Sequence, residues 1–365
     1  MSPRRYSGDL DKGICFATAA LLLLGALFLY SATYNRPPEV ARALMTKQII
    51  WAVFGILCMA AAASVDYQRL VDSAYGMYAV NILLLVLLLF MGKARLGAQR
   101  WFSVGGVSIQ PSEFIKITLV LAMATCIGHK RTRMDEARNL FVPLALAGTP
   151  FFLIVLQPDL GTALMVIPLL FSLLLIGGAS AKHLSILTAA GLASVPLFWG
   201  FLRDYQKERL LVFMNPNMDP LGAGYTIIQS KIAIGSGGFL GKGWLTGTQN
   251  QFNFLTERHT DFIFSVVGEE WGFVGALLFI LLYLVIIFRG FSIMDSTNDM
   301  YGKLIVAGVI TIFSAQTFIN IGMAIGIMPV VGLPLPLISY GGSSLITTMI
   351  AIGLMLNVGL RRSMF

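Results

Sequence analysis

The segment Glu257-Arg258-His259-Thr260-Asp261 gathers two carboxylates, an imidazole and a guanidinium directly before an apolar run. Three kinds of chemistry suit it. Asp261 stands at or near the start of the following helix and can cap it, and a helix N-terminus lowers a carboxylate pKa. Held where a lipid surface meets a water-filled cavity, the same carboxylate can act as a general base. Glu257, His259 and Asp261 can also be read as metal ligands. That signal is weak: alternating residues suit a strand, and no other His falls on the same side of the membrane arrangement derived below.

Other charges stand inside apolar sequence, where each needs a partner or a function. Glu113 and Lys116 lie one turn into a helix that opens at Gln110-Pro111-Ser112. At i,i+3 they share a face and can pair, either as structure alone or as the lining of a polar cavity. Asp159, in Gln157-Pro158-Asp159-Leu160-Gly161-Thr162, can cap the next helix. Glu269 and Glu270 follow Asp261 by about two turns, so at least one must meet a partner or water. The glycine-rich stretch from Gly235 to Gly243 resembles a phosphate loop but fails its spacing: position 236 is Ser and position 243 is Gly. It reads as a flexible loop, carrying Lys242, whose backbone can approach a ligand closely.

The elements that must position these groups follow from composition. Hydrophobic residues make up 56% of the 365 and charged residues 12%, against about 45–50% and about 25% in ordinary soluble domains. With a mean hydropathy of +0.78, a soluble globular enzyme and a disordered chain are both excluded. Ten apolar runs predict an all-α polytopic membrane protein with ten transmembrane helices: Gly13–Ala32, Gln48–Ser64, Ala74–Met91, Ser112–Gly128, Leu140–Leu156, Leu160–Ile176, Leu184–Leu202, Phe262–Phe288, Leu304–Ile325 and Ser343–Leu360. The first is expected to be a spanning helix rather than a cleaved leader. Cys15, Cys58 and Cys126 all lie in apolar runs, with no pair spaced for zinc or a disulfide framework.

Charge sets the orientation. With the N-terminus inside, the cytoplasmic segments carry 13 Lys and Arg and the short outer loops six. That bias predicts both termini in the cytoplasm and explains the +8 balance as a basic face against anionic lipid rather than nucleic acid. The long loop 203–261, between the seventh and eighth helices, is then extracytoplasmic. Within it Tyr225, Ile228 and Ile232 recur at helical spacing, which predicts an amphipathic helix on the membrane surface or against the bundle. Arg203, Lys207 and Arg209 alternate with Asp204 and Glu208, a solvated face or one that meets phosphates. The segment 326–342 is apolar yet broken by Pro329, Pro334 and Pro336, as in a re-entrant segment.

Six ordered stretches carry a family likeness: Arg100-Trp101-Phe102; Gln110 to Lys116; Gln157 to Thr162; Gly247-Thr248-Gln249 with Asn253-Phe254-Leu255; Glu257 to Phe262; and Leu333 to Ser344. In them the chain resembles the SEDS family (shape, elongation, division and sporulation), and most of all its rod-shape-determining branch. The likeness runs over essentially the whole chain, which then forms a single domain, 1–365. It implies ten transmembrane helices in the bacterial cytoplasmic (inner) membrane and a peptidoglycan glycosyltransferase that polymerises lipid II on the outer face. It also implies a class B penicillin-binding protein as partner and magnesium or manganese as cofactor, although the sequence itself shows no cation site. Asp261 matches the family's catalytic aspartate, and Glu113, Lys116 and Asp159 match polar positions lining the central cavity. Arg209, Arg258, Lys242, Glu257 and Ser343 complete the candidate substrate-binding set, with Lys116, Arg209 and Arg258 the candidates for pyrophosphate. Two other readings remain open: a transporter that flips lipid II, and a non-catalytic scaffold for the transpeptidase.

Overall fold

The computed structural model describes residues 10–91, 93–95, 98–104, 107–129, 134–222 and 224–361. Of the cations that set the orientation, Arg4, Arg5, Lys130, Arg131, Arg133 and Arg362 lie outside the described residues. The chain opens with α1 (Lys12–Thr33), α2 (Pro38–Ser64), the short α3 (Tyr67–Asp72) and α4 (Ala74–Met91). An antiparallel meander follows, β1 (Lys93–Arg95), β2 (Ala98–Val104) and β3 (Val107–Ile109). Then come α5 (Pro111–Gly128), α6 (Phe141–Leu156), α7 (Leu160–Ile176) and α8 (Ala181–Phe201). The 203–261 segment carries α9 (Asp204–Met214), α10 (Tyr225–Gly237) and α11 (Thr248–Gln251). The last four helices are α12 (Ile263–Glu270), α13 (Gly272–Ser296), α14 (Met300–Ile325) and α15 (Gly342–Arg361).

Helix starts carry the expected chemistry. The Asp11, Asp159, Ser180 and Asp299 side chains each accept a first-turn amide, and Pro stands at N1 of α2 and α5, where no amide is needed. Among the described residues eight helices are long and apolar enough to cross a membrane, and two shorter apolar helices cover Ala74–Phe90 and Leu160–Ile176. Seventeen residues rise about 26 Å, close to the hydrocarbon thickness of about 30 Å. The central helices are α5, α14 and α15, whose apolar windows are 78%, 72% and 94% buried; α2 and α8, at 11% and 0%, form the periphery.

One expectation needs correction. The eighth apolar run is not one helix of Phe262–Phe288. It breaks between α12 and α13, where Gly272 has φ +60°, a conformation that suits glycine. The glycine-rich loop fills the break. The amides of Lys242 and Gly243 donate to the carbonyls of Glu269 and Glu270, and the amides of Phe273 and Val274 donate to those of Gly238 and Phe239. A helix end leaves such groups unsatisfied, and this loop supplies them. Its backbone therefore approaches a helix break rather than a ligand. The amphipathic helix expected at Tyr225, Ile228 and Ile232 is present as α10, packed against α12 through Ile227, Ser230, Ala233 and Gly237, with Tyr225 and Ile228 half-buried and Ile232 exposed. Close contact with α12 selects small residues: a Cβ on Gly237 would overlap the carbonyl of Gly268.

The segment 326–341 has neither helix nor strand, and Leu333, Leu335, Leu337, Ile338 and Ser339 within it are buried. Its polar backbone finds partners inside the bundle. The Tyr283 hydroxyl donates to the Pro336 carbonyl at 2.7 Å, and Asn320 donates to the Leu333 carbonyl at 2.7 Å. Irregular backbone among apolar helices survives only when it is satisfied in this way.

Candidate active site

Asp261 lies in a tight turn. The amides of Thr260, Asp261 and Phe262 all donate to the Glu257 carbonyl, and Glu257 itself has φ +47°. The next helix starts with Phe262 as its N-cap residue, so Asp261 does not cap it, and the depressed pKa that capping would bring is absent. Burial instead pushes the Asp261 carboxyl up to about 6; the Glu257 charge adds to this, and Arg209 and Arg100 oppose it. Among the described residues no donor is hydrogen-bonded to the Asp261 carboxylate. A Cβ on Gly332 would sit 3.4 Å from its Oδ2, so the carboxylate lies against Gly332.

The residues just before Gly332, Pro329 to Val331, form one wall of a groove of about 330 Å³, counted out to its open mouth. Arg100, from β2, and Arg209, from α9, stand on it with Pro158, Tyr205, Gln206 and Val331. Arg209 donates to the Val330 carbonyl at 3.4 Å and lies over the Tyr205 ring. Arg100 donates to the Pro158 carbonyl and stands 3.8 Å from Asp159. Sequence reasoning left Arg100 out of the candidate set, although it heads the Arg100-Trp101-Phe102 stretch. Gly161 lets α7 meet this wall, because a Cβ there would come within 2.6 Å of the Val331 carbonyl.

The other candidates divide. Asp159 caps α7 as expected: it accepts from the Thr162 amide and hydroxyl at 3.3 and 3.0 Å, and from Gln110 at 3.0 Å. Ser343 joins the same cluster by accepting from the Gln110 amide at 3.0 Å. Glu257 is exposed beside Asp261 and accepts from the Thr260 hydroxyl at 3.2 Å. Glu113 and Lys116 form an ion pair of 2.8 Å, but their side chains are only 3% and 1% exposed, so the pair is sealed in the bundle rather than lining the groove.

Arg258 and Lys242 are corrections. Arg258 is buried, and its guanidinium donates to the carbonyls of Ala32 and Asn250. It closes the C-terminal end of α1, whose last carbonyls need donors, and does not face the groove. Lys242 pairs with Glu269 at 2.8 Å and donates to Thr248. Glu269 also accepts from the amides of Gln249 and Asn250, while Glu270 accepts from Ser31 and Asn250. Both glutamates thus anchor the turn that precedes the Glu257–Asp261 segment.

His259 is pushed down to about 4 by burial and then by the Arg36 charge, so it is neutral at pH 7. Arg36 donates to its Nδ1 at 3.3 Å, which makes that nitrogen an acceptor and leaves the proton on Nε2. Among the described residues no group of three His, Cys, Asp or Glu side chains is gathered as for a metal, so Glu257, His259 and Asp261 do not form a ligand set.

With this geometry in hand, the chain can be set beside known proteins. The FtsW/RodA/SpoVE family model, described as cell cycle protein, matches residues 12–364. Peptidoglycan glycosyltransferase MrdB of Escherichia coli K12 is 40% identical over 356 residues, covering 97% of this chain and 95% of the relative. Peptidoglycan glycosyltransferase RodA of Treponema pallidum is 35% identical, covering 98% and 99%. A chain of a solved peptidoglycan synthase complex, described as coordinating polymerization and crosslinking, superposes with a TM-score of 0.83 at 36% identity, covering 97% and 98%. The rod shape determining protein RodA of Thermus thermophilus superposes with a TM-score of 0.73 at 32% identity, covering 97% of each chain.

Proposed function

Because the chain belongs to the FtsW, RodA and SpoVE family of cell cycle proteins, we propose that it is a peptidoglycan glycosyltransferase. It polymerises lipid II on the outer face of the bacterial cytoplasmic membrane during cell elongation. The observation that carries this reading is Asp261: a carboxylate without a hydrogen-bond donor among the described residues, pushed up to about 6, beside a groove with two arginines. A carboxylate of that pKa is mostly ionised at pH 7 and is a stronger base than an ordinary one.

The reaction joins two amphiphiles. Asp261 takes the proton from the 4-hydroxyl of the acceptor sugar. The oxygen attacks the anomeric carbon of the donor, the bond from that carbon to the phosphate oxygen breaks, and polyprenyl pyrophosphate leaves with inversion. Arg100 and Arg209 meet the charge of the leaving group, in the role that guanidinium groups serve at phosphates. Magnesium or manganese belongs to the same proposal. Mg²⁺ is often bound through one or two carboxylates together with substrate phosphates. Glu257, an exposed carboxylate four residues before Asp261, would hold such an ion together with the substrate phosphates, while Asp261 keeps the role of base. The ion would help neutralise the pyrophosphate.

The ten apolar helices span the membrane in this reading, with both termini inside, the 203–261 segment outside and 326–342 re-entrant. A class B penicillin-binding protein is the partner, in keeping with the synthase complex that the chain resembles. Glu113 and Lys116, sealed as a pair, do not open a polar path through the bundle, which weighs against the flippase reading. The test is purified protein with its transpeptidase and lipid II in detergent, where flipping has no meaning. Glycan strands from the native protein and none from Asp261→Asn are expected. The absence of strands from the native complex would remove the enzyme reading, and unchanged strands from the variant would remove Asp261 from its role.

A further inference from the structure

Two amide side chains stand one turn apart on α14, Gln316 and Asn320, and both are buried. Gln316 Nε2 donates to the Pro334 carbonyl at 2.9 Å, and Asn320 Nδ2 donates to the adjacent Leu333 carbonyl at 2.7 Å. One helix face thus pegs two consecutive carbonyls of the apolar segment. Asn320 also donates to the backbone carbonyl of Asp261 at 2.9 Å. An amide nitrogen has two hydrogens, and here both are committed. Gln316 Oε1 in turn accepts from Lys116 Nζ at 3.0 Å, whose other partner is Glu113.

The same turn is held from a second side. Ser339 Oγ donates to the Thr260 carbonyl at 2.5 Å and accepts from the Leu335 amide at 2.8 Å. The Tyr340 amide donates to the His259 carbonyl at 2.9 Å. The carbonyls of His259, Thr260 and Asp261 are therefore all fixed, while the Asp261 carboxylate is not. Its aim is set through its backbone. A misplacement of about 1 Å can cost on the order of 100-fold in rate.

We propose that Asn320 is a positioning residue for the reaction at Asp261, and that the Glu113–Lys116 pair braces the same ladder through Gln316 instead of touching substrate. This rests on the reading of Asp261 as the base. Two substitutions of similar shape separate positioning from space-filling. Asn320→Leu removes both donors, and Asn320→Asp turns them into acceptors that face two carbonyls. In lipid II polymerisation with the partner, kcat falls on the order of 10–100-fold in Asn320→Leu and further in Asn320→Asp, with KM unchanged. The acid limb of the pH profile moves down as the turn loosens and water reaches the carboxylate. Gln316→Met, which leaves the Asp261 carbonyl satisfied, costs less than either.

A folded Asn320→Leu with native kcat and pH profile overturns the proposal, and an inactive Asp261→Asn beside it leaves the general-base reading intact. Native polymerisation by Asp261→Asn sinks that reading and this inference with it. If Asn320→Leu does not fold, Asn320→Ser, which offers one donor, replaces it: an intermediate kcat supports the proposal and a native kcat overturns it.

Discussion

Asp261 and Glu269 lie eight residues apart, on either side of the start of α12, and their surroundings differ completely. Glu269 is fully buried and accepts from Lys242, Thr248 and the amides of Gln249 and Asn250. The Asp261 carboxylate is half-buried, and none of the described donors is bonded to it. Desolvation without compensation raises a carboxylate pKa, and saturation with donors and a cation offsets that cost. The satisfied carboxylate is an anchor. In the proposed reaction the unsatisfied one keeps its lone pairs for the hydroxyl of the acceptor sugar.

Substituting each in turn should break the comparison in opposite ways. Asp261→Asn lowers polymerisation by about 10²–10⁴-fold. It does not lower the melting temperature at pH 7. The sign follows from linkage: a folded pKa of about 6, above the ordinary unfolded value of about 3.9, gives stability that is full below the unfolded value and lost as pH rises through the folded one. At neutral pH the ionised group is a cost that the amide removes. Glu269→Gln does the reverse, lowering stability by about 3 kcal/mol, at the low end for a broken buried pair because Lys242 still touches water. Activity per folded molecule then stays near native, read by denaturant melts beside the polymerisation assay. A smaller effect sharpens the picture at the groove. Arg209→Gln should raise KM about tenfold, the scale of one hydrogen bond to a charged group, with little change in melting.

Much of this fold was legible because apolar run length and turn residues act locally. The runs Ala74–Met91 and Leu160–Ile176 coincide with α4 and α7, and the family drawn from the six stretches is the one that the chain matches. Other features needed the third dimension. The break at Gly272 depends on a loop some thirty residues earlier supplying its hydrogen bonds, and the β1–β3 meander left no clear alternation to read. The site was legible as a set of residue types, not as a division between them. Lys242 and Arg258 are cations as plausible as Arg209 by sequence, but the first meets Glu269 and the second meets carbonyls at the end of α1. Asp159 was legible as a cap because its partner, Thr162, is local. Arg100 reaches Asp159 from a separate element, beyond any local signal.

The central claim is that Asp261 acts as a base whose proton affinity the fold has raised. The pH dependence of kcat/KM for lipid II polymerisation tests it most directly, because that ratio reports the free enzyme. The account predicts an acid limb with its midpoint near 6, below which the rate falls about tenfold per pH unit as the base becomes protonated. A profile that stays flat down to the ordinary carboxylate range of about 4 would contradict it.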